Sequence, residues 1–247
     1  MKNISITIKG FIENSLIEWE GNIVSIIFLP HCNLRCPYCH ATHLVREPNE
    51  LESIPLDAVI EKIKQSKSWL DGVVITGGEP TSHSDIDLLI EIFKEMDLKV
   101  RIDTNGTNPT TLENLIQRGL IDCVAMDIKA PLREEKYRIA AGTSCDLSDI
   151  RKSIRLIMES GIEYEFRTTV CPTFLDGLDI TEIARSIAGS KRYILQTFRP
   201  NNCLDSRLLD VEPYSEDEIK GFAEGARRFV KDCYVRGEGM KALSCNW

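Results

Sequence analysis

The sequence predicts an α/β fold, a full or partial β/α barrel, and three observations carry that prediction. Short runs of β-branched and aliphatic residues recur along the 247 residues, each run is followed by a segment with helical spacing, and the unusual polar residues fall where the runs end. Six strands follow from the first observation: Ile23–Leu29, Gly72–Thr76, Lys99–Asp103, Cys123–Ile128, Tyr164–Val170 and Tyr193–Phe198. Helices are expected near Leu56–Ser68, Ser84–Met96, Pro109–Arg118, Leu147–Ser160 and Ile180–Ala188, with a last one near Ser215–Val230. Pro109 suits a first helical turn, where its missing N–H is no loss, and Gly161 suits a helix end. Ile4 to Trp19 reads as a leading hairpin or strand pair.

No repeat, low-complexity tract or composition shift divides the chain. One domain over residues 1–247 is expected, with its core at about 23–200 and a C-terminal extension over 201–247. Hydrophobic residues make up 43% of the chain, enough for a buried core. The formal net charge of -8 argues against capture of nucleic acid or anionic membrane, since each needs a basic face. No apolar run reaches the roughly 18 positions of a membrane span, and Met1 to Gly10 lacks the sections of a signal peptide. A cytoplasmic protein is therefore expected.

Nine cysteines, an odd count, argue against a complete disulfide framework. Cys32, Cys36 and Cys39 form a C-x-x-x-C-x-x-C run that uniform scatter would produce about 0.01 times in such a chain. The run lies in a segment containing Pro30 and Pro37, irregular enough to wrap three thiolates around one inorganic centre. Four-iron clusters usually take four cysteines, so three leave one iron open to a substrate or cofactor. A structural zinc site needs four protein ligands, and His31, His40 or His43 would have to supply the fourth. A redox disulfide, or three unrelated core cysteines, would also place thiols in this run. Cys123, Cys145, Cys171, Cys203, Cys233 and Cys245 show no C-x-x-C pairing, and apolar packing is expected for most. Cys203 and Cys245 stand in polar surroundings.

Barrels of this class carry function at the C-terminal ends of their strands. The cysteine run follows the first strand, Gly77-Gly78-Glu79-Pro80 the second, Asp103-Thr104-Asn105-Gly106 ends the third and Asp127-Ile128-Lys129 the fourth. Arg167 and Thr168 sit late in the fifth, and Gln196 to Arg199 close the sixth. All six groups fall on one rim. Two carboxylates converging there repel unless a cation or a lysine lies between them. Taken singly, Asp103 reads better as a turn cap and Lys129 as a solvated side chain.

Cys32-Asn33-Leu34-Arg35-Cys36-Pro37-Tyr38-Cys39 resembles the C-x-x-x-C-x-aromatic-C signature of the radical S-adenosylmethionine superfamily. The resemblance implies a partial (β/α)6 barrel of the radical S-adenosylmethionine type, one three-cysteine 4Fe-4S cluster and S-adenosylmethionine chelated on the open iron. Reductive cleavage of that cofactor would give methionine and a 5′-deoxyadenosyl radical. The Gly77-Gly78-Glu79 segment resembles the family's contact to the methionine ammonium, and the resemblance places Tyr38, His40, Arg167, Phe198 and Arg199 on the cofactor side as well. In a pyruvate formate-lyase activator a histidine stands near the ribose or adenine where Arg199 stands here.

Asp103-Thr104-Asn105-Gly106 and Asp127-Ile128-Lys129 resemble segments of the glycyl-radical activating enzymes. That comparison implies that Asp103, Thr104 and Asp127 surround Na+ or K+, and that Lys129 reaches the cofactor carboxylate. It also implies a glycyl-radical enzyme as protein substrate, with activators of anaerobic ribonucleoside-triphosphate reductase the nearest group, and a flavodoxin- or ferredoxin-like electron donor. A small-molecule substrate in cofactor or modified-nucleoside synthesis is compatible with the same motifs, and a non-catalytic metal-binding module with the cysteine run alone.

Overall fold

The computed structural model describes residues 4–237. Eight strands form one sheet in chain order: β1 (Gly10–Ser15), β2 (Val24–Leu29), β3 (Gly72–Gly77), β4 (Lys99–Thr104), β5 (Cys123–Asp127), β6 (Glu163–Val170), β7 (Tyr193–Thr197) and β8 (Cys233–Arg236). β1 runs antiparallel to β2, and every later pair is parallel. Among the described residues β8 does not pair with β1, so the sheet curls into a barrel that stays open between them.

Eight helices connect or follow the strands: α1 (Thr42–Arg46), α2 (Leu56–Ser66), α3 (Ile86–Glu95), α4 (Pro109–Gln117), α5 (Glu134–Ala141), α6 (Leu147–Glu159), α7 (Gly177–Ser186) and α8 (Glu216–Ala226). All six expected strands and six expected helices are present with ends shifted by a few residues. α1, α5 and β8 were not expected. The leading segment supplies one strand, β1, whose partner is β2, and not a strand pair of its own.

Strand alternation sorts the side chains onto two faces. Ile27, Leu29, Val73, Ile75, Val100, Ile102, Val124, Met126 and Phe166 pack against the helices in the main core. The alternate positions Val24, Ile26, Val74 and Cys123 join Trp19 in a smaller cluster inside the barrel. Trp19 plugs the N-terminal end, where its Nε1 donates to Oε2 of Glu163 at 3.1 Å. An apolar plug below leaves polar inward positions above it, and these build the site.

Cys123, Cys171, Cys203 and Cys233 are buried and Cys145 is half-buried. Cys203 is thus in the core, although Asn201, Asn202 and Asp205 surround it in sequence. Cys245 and the end of the C-terminal extension lie outside the described residues. Among the described residues no helix is long and apolar enough to cross a membrane.

Candidate active site

The cysteine loop leaves β2 through His31, whose φ of 61° turns the chain across the rim. Main-chain bonds then fasten it on three sides. Gly78 and Glu79 donate to the carbonyls of Leu29 and His31 at 2.8 and 2.7 Å; Arg35 donates to Ala141 at the end of α5 at 2.9 Å. Asp205, in the strap that follows β7, donates to the carbonyl of Pro37 at 2.9 Å. A Cβ on Gly78 would sit 1.8 Å from the His31 oxygen, so this glycine is required by the fit of β3 against the cysteine loop.

Cys32, Cys36 and Cys39 face a cavity of about 360 Å³, within the size range of small-molecule sites. Tyr38 and His40 extend the same wall, Gly77, Gly78 and Glu79 come from the end of β3, and Asp103 and Thr104 from β4. Asp127 and Lys129 from β5 and Arg167 from β6 complete it. Two expected residues lie elsewhere. Phe198 is buried behind His40, with ring centroids 6.5 Å apart, and Arg199 lines an adjoining hollow of about 180 Å³.

Burial pushes the Cys36 thiol up to about 12 and raises Cys32 and Cys39 as well. The metal-free thiols therefore keep their protons at neutral pH, and ligation has to release them. Burial opposes the charge on Lys129, but Asp127, 3.6 Å away, heads the groups that hold its pKa well above the ordinary lysine value. Burial lowers the pKa of His40. Its Nε2 lies 2.9 Å from the Arg199 carbonyl, which can only accept, so Nε2 carries the proton.

Glu79 is 1% exposed, and its carboxylate accepts from the Thr81 N–H (3.1 Å), the Thr81 hydroxyl (2.5 Å), the Thr104 hydroxyl (2.7 Å) and the Asn105 N–H (2.7 Å). Three of these donors reach Oε1 and one, the Asn105 N–H, reaches Oε2. It ties the β3 and β4 rim loops together behind the cavity wall.

The donor set fits an iron–sulfur cluster. Three unpaired thiols share one wall, beside a lysine for a carboxylate and two glycines that allow close main-chain approach. Among the described residues, no three His, Cys, Asp or Glu side chains converge on a single ion. A polynuclear cluster takes each thiolate on a different iron and needs no such convergence. A mononuclear zinc site does need its ligands to converge.

A family model described as the radical SAM superfamily matches residues 26–188. The chain belongs to the radical SAM superfamily. A candidate glycyl-radical enzyme activating enzyme of Methanocaldococcus jannaschii is 31% identical over 93% of this chain and 95% of its own length. The pyruvate formate-lyase-activating enzyme of Clostridium pasteurianum is 24% identical over 83% of this chain and 90% of its own. The crystal structure of Streptococcus suis SuiB bound to precursor peptide SuiA shares the fold with a TM-score of 0.67 at 18% identity, over 87% of this chain. This chain spans about half of that one, 48%. The protein is thus a radical SAM enzyme, and its family implies a 4Fe-4S cluster and S-adenosylmethionine.

Beneath the cavity of this radical SAM enzyme lies a charged layer that sequence reasoning missed. Arg101 donates through Nε to Asp103 (2.9 Å) and through Nη2 to Glu165 (2.8 Å). Arg167 donates through Nε to Glu165 (2.6 Å) and through Nη1 to Asp103 (3.2 Å). The signal was present as strand periodicity, since Arg101 and Asp103, and Glu165 and Arg167, are two residues apart on one inward face. Glu18 and Asn105 also line the cavity, and no site role was expected for either. Asp103 is committed to two guanidinium groups, which bears on the expected cation.

Proposed function

We propose that this radical SAM enzyme takes a hydrogen atom from a backbone glycine of a partner protein, leaving a glycyl radical there. The proposed partner is anaerobic ribonucleoside-triphosphate reductase. One observation carries the reading: three thiols share a wall with the ends of β3, β4 and β5, and the β4 and β5 motifs resemble those of glycyl-radical activators, in a barrel open on one side. The relatives in Methanocaldococcus jannaschii and Clostridium pasteurianum support it.

Cys32, Cys36 and Cys39 would hold the cluster. When bound, cluster and S-adenosylmethionine together supply a 5′-deoxyadenosyl radical able to take hydrogen from an unactivated C–H bond. The chain's own residues bind, orient and shield. Gly77 and Gly78 let main chain approach the methionine ammonium, while Glu79 adds a negative field from behind them. Lys129, held in its charged form, would meet the carboxylate. Tyr38, His40 and Arg167 shape the adenosine side, with Phe198 backing His40 and Arg199 reaching from the adjoining hollow.

Na+ or K+ beside Asp103, Thr104 and Asp127 is part of the proposal, and its entry requires the 3.2 Å Arg167–Asp103 pair to part. A flavodoxin- or ferredoxin-like carrier would deliver one electron per cleavage. A protein partner seated on the rim would exclude water from the mouth.

The test is anaerobic reconstitution followed by electron paramagnetic resonance with and without S-adenosylmethionine, then incubation with reductase carrying deuterium at glycine Cα. The expected results are a cluster signal altered by the cofactor, a glycyl radical on the reductase and deuterium in 5′-deoxyadenosine. A signal indifferent to the cofactor contradicts cofactor binding at the cluster. Turnover of a free metabolite with no protein radical contradicts the proposed substrate.

A further inference from the structure

Among the described residues, Cys32 is the cluster cysteine that receives a hydrogen bond from another side chain. The donor is Asn105 Nδ2, 3.8 Å from the sulfur, and the main-chain N–H of Leu34 reaches the same sulfur at 3.4 Å. Asn105 comes from the rim loop after β4 and is buried.

Its amide cannot be turned round. Oδ1 accepts from the main-chain N–H of Thr107 at 3.0 Å and from the Thr107 hydroxyl at 2.6 Å, and a main-chain N–H can only donate. Nδ2 therefore faces the cysteine loop, where it also donates to Oδ1 of Asn33 at 2.9 Å. Asn33 closes the ring by donating from Nδ2 to the Thr107 hydroxyl at 2.7 Å. Behind the side chain, the main-chain N–H of Asn105 is held by Glu79 at 2.7 Å. One rigidly held side chain thus presents a donor to one sulfur.

We propose that Asn105 is a positioning residue that raises the reduction potential of the cluster by hydrogen bonding to the Cys32 sulfur. The inference rests on the reading that the three cysteines hold a 4Fe-4S cluster. Reduction adds one electron to the cluster, taken from a one-electron carrier that is oxidised in the same step, and no bond to the protein forms or breaks. The added negative charge spreads onto the sulfurs, so a fixed N–H aimed at one of them stabilises the reduced form more than the oxidised form. Asn105 also links this sulfur to Glu79, so the cluster loop and the cofactor-side loop share one brace.

The test is a potentiometric titration of the reconstituted full-length protein with dithionite, followed by electron paramagnetic resonance, on wild type, N105A, N105D and N33A. Asn105→Asp keeps the shape and both contacts to Thr107 but replaces the N–H with a charged oxygen that by itself favours the oxidised cluster, so an unchanged midpoint there is decisive even if N105A loses iron. Asn33→Ala breaks the ring but leaves the Asn105 N–H on the sulfur. In N105A and N105D the midpoint is expected to fall, with the reduced-to-oxidised ratio at a fixed potential dropping by up to about tenfold, which is ~59 mV for one electron. N33A is expected to titrate with the wild type. Unchanged midpoints in N105A and N105D overturn the proposal. So does a fall in N33A equal to that in N105A, because the effect would then be loop bracing. Iron and sulfide content is measured first: a wild type that binds no cluster overturns the three-cysteine reading itself.

Discussion

Nη2 of Arg101 lies 2.8 Å from Oε1 of Glu165 inside the barrel, with both side chains almost fully buried. Neither charge has water to fall back on, and Asp103 and Arg167 complete an alternating square. Removing Arg101 leaves two buried carboxylates to share Arg167, and an uncompensated buried charge costs about 3–5 kcal/mol. Arg101→Met is therefore expected to lower the urea midpoint sharply. The double variant R101M/E165M leaves Asp103 with Arg167 and is expected to recover most of the loss. A double variant as unstable as R101M would mean that the square acts as one unit.

Gly142, at φ 69°, ends α5 against the cysteine loop, and a Cβ there would lie 1.8 Å from the Arg35 oxygen. Gly142→Ala must push the loop away or distort α5. The left-handed backbone alone costs about 1–3 kcal/mol for a residue with a side chain. The variant is expected to melt lower and to retain less iron after reconstitution. Gly161, also left-handed at φ 78°, has open space around the same atom. G161A is expected to lose stability while keeping its iron, which separates backbone strain from displacement of the loop.

The six barrel strands were legible because parallel strands buried on both faces read as continuous apolar runs. Tyr193–Thr197 and Gly72–Gly77 show it: three and four of their residues are fully buried. α5 was not legible, since Glu134–Ala141 buries only Tyr137, Ala140 and Ala141 and has charges through its first turn. β8 is four residues long with one buried side chain, too short to show alternation. α7 starts three residues early because Asp176 and Asp179 form a capping box ahead of the apolar run. In the site, loop motifs were visible as strings of residues. Asn105 and the Arg101–Glu165 layer depend on which way a side chain points, and that follows only once strand phase and loop packing are fixed.

The strap after β7 is held over the cysteine loop by side chains as well as main chain. Arg46 donates from Nη2 to the Leu204 carbonyl at 2.6 Å, and Thr42 donates to Asn202 at 2.8 Å. Losing one such bond shifts local opening by about 1 kcal/mol, roughly a fivefold change in the open population. The reconstituted R46A variant is expected to lose its visible iron–sulfur absorbance in air about five times faster than wild type. Equal bleaching rates would place the route of oxygen elsewhere.

Burial raises the pKa of Glu79 above its ordinary 4.5, against the four hydrogen bonds that lower it. In the metal-free protein this has a definite sign. Below 4.5 the carboxyl is protonated in both folded and unfolded chains, and its contribution to stability is complete. As pH rises, the unfolded chain releases its proton first while the folded one still holds it, so unfolding gains. The contribution is lost through the folded pKa and then stays level. Glu79→Gln does not titrate and serves as the reference. The unfolding free energy of wild type minus that of E79Q, from urea titrations between pH 4 and 8, is expected to fall with rising pH and then flatten. A difference that grows with pH would mean that Thr81, Thr104 and Asn105 stabilise the carboxylate by more than its burial costs.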